Sequence, residues 1–94
     1  MGNSQVSVGT SATQIVAKNF NRINLEIYNP DGSAAVFVGE SGVTTSTGIP
    51  IAAGATKEWA YQGGHHPFFY RGAVYGVVAS GTISVQVWEQ AEVK

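Results

Sequence analysis

The chain is a relay of short apolar runs of period two, punctuated by Gly, Asn and Pro, with no helix-period segment between them. Ile23, Leu25 and Ile27 alternate with Asn24, Glu26 and Tyr28. Val36 and Val38 flank Phe37, and Ile83, Val85 and Val87 alternate with Ser84 and Gln86. This is how a half-buried antiparallel strand reads, because successive side chains leave opposite faces of the sheet. Almost the whole polypeptide is thereby committed to strands, and little is left for a catalytic apparatus.

Expected strands cover residues 5–9, 14–18, 22–29, 35–39, 49–52, 57–61, 73–79 and 82–89. The stretch Asn29-Pro30-Asp31-Gly32 carries a type I turn signature, which makes the third and fourth strands a hairpin. Ser80-Gly81 reads as a two-residue hairpin turn. Pro50 cannot donate to a ladder, so its segment fits a sheet edge or a strand start. The fold class that follows is all-β: an antiparallel β-sandwich, jelly-roll-like, of about eight short strands. Two sheets are needed, since a single one would leave an apolar face wet. The expected core is Val8, Ile15, Ile23, Leu25, Ile27, Val36, Val38, Ile51, Val77, Ile83, Val85 and Val87, with Val43 a buried candidate in the 40–48 loop. One domain spans 1–94, with 1–5 a flexible N-terminal arm and 90–94 a C-terminal tail.

An apolar fraction of 44% in 94 residues supports a real core. Only 12% of residues are charged, about half of the usual share of roughly 25%. The surface is therefore weakly polar, which suits a protein covered by neighbours in an assembly and suits equally a plain neutral surface. Lys18, Arg22, Lys57, Arg71 and Lys94 are scattered, whereas nucleic-acid binders cluster their cations. No apolar run approaches the ~18–20 residues of a membrane span, and the N-terminus lacks the pattern of a secretion signal. Partners are thus expected to be neither nucleic acid nor membrane. With no cysteine there is no thiolate metal site and no disulfide.

The most unusual stretch runs from Gly63 to Gly72 and holds His65, His66, Phe68, Phe69, Tyr70 and Arg71. Aromatics and Arg concentrate at interaction hot spots and also stack on sugars or unpaired bases. These six residues are the candidate interaction loop; the plainer reading makes Phe68 and Phe69 a cap on one end of the sandwich. Adjacent histidines in an extended strand point opposite ways, so one ion rarely takes both. One His from each subunit of a symmetric oligomer is the stronger arrangement, and a polar loop tip stronger still. No metal, cofactor or catalytic residue is therefore assigned. Glu26, Asp31, Glu40, Glu58, Glu89 and Glu92 form no motif, and the glycines form no phosphate loop. The chain is expected not to be an enzyme.

Several stretches are familiar together: Asn21-Arg22 with Leu25, Ile27 and Asn29, then Gly32-Ser33-Ala34-Ala35-Val36-Phe37-Val38-Gly39. Val43-Thr44, Gly48-Ile49-Pro50-Ile51 and Ala53-Gly54 follow, and then Val74-Tyr75-Gly76-Val77, Gly81-Thr82, Val85, Val87 and Glu89. Over about residues 6–89 the chain resembles the small structural proteins of tailed-bacteriophage virions: head-decoration (cement) proteins, head-fibre bases and tail-associated β modules. The resemblance implies a β-sandwich subunit, often trimeric, that binds an assembled particle. The expectation is a capsid decoration protein made in the bacterial cytoplasm and resident in the virion. Its partners would be itself, as a homotrimer, and the major capsid protein or another virion component. A tail, adaptor or fibre-attachment module is the alternative within the virion. A carbohydrate-binding module using Trp59, Tyr61, Phe69 and Tyr70 is the alternative from another class.

Overall fold

The computed structural model describes residues 2–19, 22–60 and 72–91. Among the described residues eight strands form: β1 (Gly2–Val8), β2 (Thr13–Val16), β3 (Arg22–Tyr28), β4 (Val36–Gly39), β5 (Ile49–Ile51), β6 (Thr56–Ala60), β7 (Val74–Val77) and β8 (Ile83–Ala91). They make two four-stranded sheets, sheet I in the order β1-β8-β3-β6 and sheet II in the order β2-β7-β4-β5. Every pairing is antiparallel. This is the jelly-roll order, in which the chain shuttles between two facing sheets. Only β4 and β5 are consecutive and paired; every other connection changes sheet.

Neither of the two expected hairpins forms. β3 pairs with β6 and β8, and β4 with β5 and β7, so residues 29–35 carry the chain from sheet I to sheet II. The side chains of Asn29 and Asp31 hold that bend by capping backbone groups of their own segment. Ser80-Gly81 likewise joins β7 of sheet II to β8 of sheet I. Gly81 has the left-handed backbone that its turn signal demands, at φ +68°, yet the turn serves a crossover.

The chain ends also differ from expectation. Residues 2–5 lie in β1, paired with 86–89 of β8, and Gln90 and Ala91 continue β8. Gln5 stands on the solvent face of this paired strand, opposite Gln86, where alternation permits a polar residue.

The interior between the sheets is built from Val8, Ile15, Leu25, Ile27, Val36, Val38, Ile51, Ile83, Val85 and Val87, as expected, joined by Val16, Val74 and Val78. The side chain of Ile23 lies outside the described residues. A bulge in β2 between Gln14 and Val16 turns both Ile15 and Val16 inward. Val77 is buried but lies outside this cluster. Gly76 is the inward residue there, since a Cβ on it would meet Ile15 Cδ1 at 2.6 Å and Val36 Cγ1 at 3.5 Å. Val77 therefore faces outward and is buried near Val43 and the 42–45 loop.

Candidate functional site

β3 crosses the middle of sheet I, and each of its ends carries a buried polar side chain that reaches into sheet II. At one end Arg22 is fully buried. Its Nε donates to Glu89 Oε2 on β8 at 2.7 Å, Nη1 to the Gly72 carbonyl at 3.0 Å and Nη2 to the Ala17 carbonyl at 2.8 Å. Ala17 follows β2 and Gly72 precedes β7, neighbours in sheet II. A register shift between Arg22 and Asn24 places an extra β3 residue against β8. That bulge changes the side-chain phase and turns Arg22 inward. A guanidinium suits the position because its planar fork donates in several directions at once.

At the other end Asn29 is also fully buried. Its Nδ2 donates to the carbonyls of Ala34 and Ile51, both at 2.9 Å, and its Oδ1 accepts from the Asp31 N–H at 3.0 Å. Its backbone N–H donates to the Ala55 carbonyl, and its carbonyl accepts from Gly54. The side chain thus satisfies every polar atom it buries, as a buried amide must. Asp31 Oδ2 accepts from the N–H groups of Ser33 and Ala34. These two bonds, the Ser33 one first, hold its carboxyl below the ordinary range.

The outer face of sheet I is a candidate contact surface. Trp88 on β8 stands directly opposite Glu26 on β3, and Glu26 directly opposite Glu58 on β6. In the next row Gln5, Gln86, Tyr28 and Thr56 occupy successive strands. The Ser7 and Ser84 hydroxyls approach to 3.4 Å. Trp88 is 37% exposed and Tyr28 36% exposed, diagonal neighbours on adjacent strands. With Ser4, Gln5, Glu26 and Gln86 they line a shallow depression of about 540 Å³. Glu26 and Glu58 are like charges placed face to face, an arrangement that costs a little stability. This surface offers two aromatic rings among amides, hydroxyls and carboxylates.

A second, smaller recess of about 160 Å³ opens between β6 and the β4–β5 edge, lined by Val38, Ile49, Trp59 and Val74. Trp59 is half-buried and packs against the core, and Lys57 Nζ lies 5.6 Å from its ring centroid. Trp59 is thus turned inward and does not share a face with Trp88.

His65, His66, Phe68, Phe69, Tyr70 and Arg71 lie outside the described residues, as does Tyr61. Among the described residues no group of three His, Asp or Glu side chains is placed to hold a metal. Sequence reasoning did not single out Trp88 or Tyr28 as a pair. Their outward phase was readable in each strand, but their adjacency depends on the β3–β8 pairing, which joins residues some sixty positions apart. No family model, curated protein or solved structure matches the chain.

Proposed function

We propose that the protein is a non-catalytic structural component of a bacteriophage virion, a decoration protein whose copies associate with one another and clamp the assembled head. The observation that carries this reading is the outer face of sheet I. It combines two exposed rings with hydrogen-bonding, weakly charged neighbours on a scaffold fastened at both ends of β3. Contacts of this composition supply binding energy from the buried aromatic centre and register from the polar surround. A rigid double layer loses little conformational entropy on docking, and repetition over a symmetric shell multiplies modest contacts into avidity. Jelly rolls recur among viral capsid domains, an analogy of fold only.

Co-sedimentation of the purified protein with heads that lack it tests this reading. Saturable binding is expected, weakened about tenfold or more by Trp88→Ala with no large change in thermal midpoint. A protein that ignores heads refutes the head assignment, and binding to tails alone moves it to the adaptor role.

A second reading is favoured by the same two rings. Aromatic faces flanked by amides and carboxylates also suit a neutral sugar, whose C–H face stacks while its hydroxyls hydrogen-bond. Tryptophan fluorescence titrated with neutral oligosaccharides separates the two. A saturable change abolished by Trp88→Ala, without head binding, selects the sugar.

A further inference from the structure

We infer that β1 is a self-pairing seam, through which two copies of the chain join their first sheets across a two-fold axis. The four edge strands, β1 and β6 of sheet I and β2 and β5 of sheet II, are not protected alike. An edge strand exposes unpaired N–H and C=O groups, and soluble proteins blunt such edges with Pro, bulges, short length or an inward-pointing charge. β5 has three residues and holds Pro50. β2 has four residues and a bulge between Gln14 and Val16. β6 carries Lys57 opposite the inward residue Ile27, so a charge points to the core side. β1 has none of these devices. It runs seven residues, Gly2–Val8, with no charge and no proline, and its ladder with β8 is unbroken from Gly2↔Glu89 to Val8↔Ile83. Among the described residues its far side takes no strand partner.

The occupant that fits is a second β1. Gln5 is the central residue, so an antiparallel two-fold through it sets Gln5 against Gln5 and Ser4 against Val6. Odd positions stay on the outer face and even positions on the inner face, and the alternation of both copies is preserved. No like charges meet, which most charged edges would not permit. Val6, only partly buried beside the core, gains cover on its open side. The pairing would give about one hydrogen bond per residue and fuse the two four-stranded sheets into one. It would also set the two Trp88–Tyr28 depressions on either side of the seam, since Ser4 and Gln5 line them. The contact is narrower than a standard interface, so the dimer is concentration-dependent.

This seam deepens the proposed self-association, yet its test needs no virion. Sedimentation of the purified chain over a wide concentration range should show a monomer–dimer equilibrium. Gln5→Lys and Gln5→Glu each place like charges across the axis on an exposed position, and each should weaken dimerisation roughly five- to tenfold. Mixing the two variants in equal amounts should restore it as a heterodimer. Circular dichroism and thermal midpoint, unchanged, establish that both variants fold. A chain that stays monomeric, that sediments as a closed trimer, or whose dimer ignores both charges overturns the seam. Loss of head binding by a protein that still dimerises overturns the virion reading alone.

Discussion

Replacing Asn29 tests whether the tie between the sheets at the far end of β3 stabilises the fold. Asn29→Ala removes three hydrogen bonds, to the Ala34 and Ile51 carbonyls and from the Asp31 N–H. Each is worth about 1 kcal/mol net, and the buried carbonyl left unpaired adds about 1–2 kcal/mol. The expected loss is therefore about 3–5 kcal/mol. A domain of this size has only about 5–15 kcal/mol to lose, so the thermal midpoint should fall by on the order of 20 °C. The backbone bonds of residue 29 to Gly54 and Ala55 are untouched by the substitution, which isolates the side chain. Asn29→Asp sharpens the test because it changes shape hardly at all. Its carboxylate would set an acceptor against two carbonyl oxygens, raising its folded-state pKa above the unfolded value. A raised carboxyl stabilises at low pH, and that contribution disappears as pH rises from about 4 through the folded value. The Asp variant should therefore be less stable than wild type at neutral pH and recover on mild acidification. Urea denaturation at several pH values reads both effects. A cost below about 1 kcal/mol for Asn29→Ala, or an Asp variant as stable as wild type at pH 7, would refute the tie.

Arg22→Met leaves Glu89 without its cation and two carbonyls without their donor. It should cost about 3–5 kcal/mol, with part regained when Glu89→Met is added; equal stability of single variant and wild type in urea denaturation would dismiss the ion pair. Gly76→Ala drives a methyl onto Ile15 Cδ1 and should cost about 1–3 kcal/mol. Ile15→Val removes that atom, so the double variant should be more stable than the sum of the two single losses predicts, and strict additivity would count against the close approach. Asp31 is held below its ordinary pKa by the Ser33 and Ala34 amides, so its contribution is present above the unfolded value and lost as pH falls through the folded one. The stability gap between wild type and Asp31→Ala should accordingly close in acid; a gap independent of pH would show that the capping bonds do not favour the ionised form.

Strand existence and inward residues were legible because alternation reports phase directly. Leu25, Ile27, Val85 and Val87 are buried where the period-2 pattern put them. Pairing was not legible. In this topology neighbours in sequence usually sit in opposite sheets, so turn signals at Asn29–Gly32 and Ser80-Gly81 mark crossovers as readily as hairpins. Arg22 read as one of several scattered cations, because nothing in sequence announces a bulge that rotates it inward. Asn29 read as a turn former, and it is one through its Oδ1; its Nδ2 has a second task that only the approach of Ile51 reveals. Val77 missed the inter-sheet cluster by a single residue of phase, since Gly76 has no side chain with which to announce the inward position.

The place of β8 in its sheet governs how the molecule comes into being. β8, the last of the described strands in chain order, is an inner one, flanked by β1 and by β3. While the ribosome still holds residues 83–91, β1 has no strand to pair with and β3 lacks one of its two neighbours. Sheet I is incomplete until residues 83–91 are free to pair, although all four strands of sheet II precede them in the chain, and the β1–β8 and β3–β8 pairings then to be made join residues far apart in sequence, which slows folding. A polypeptide lacking residues 83–91 would leave β1 without its strand partner and one edge of β3 open, the condition that invites aggregation or chaperone capture. Release of residues 83–91 is thus the step that closes sheet I.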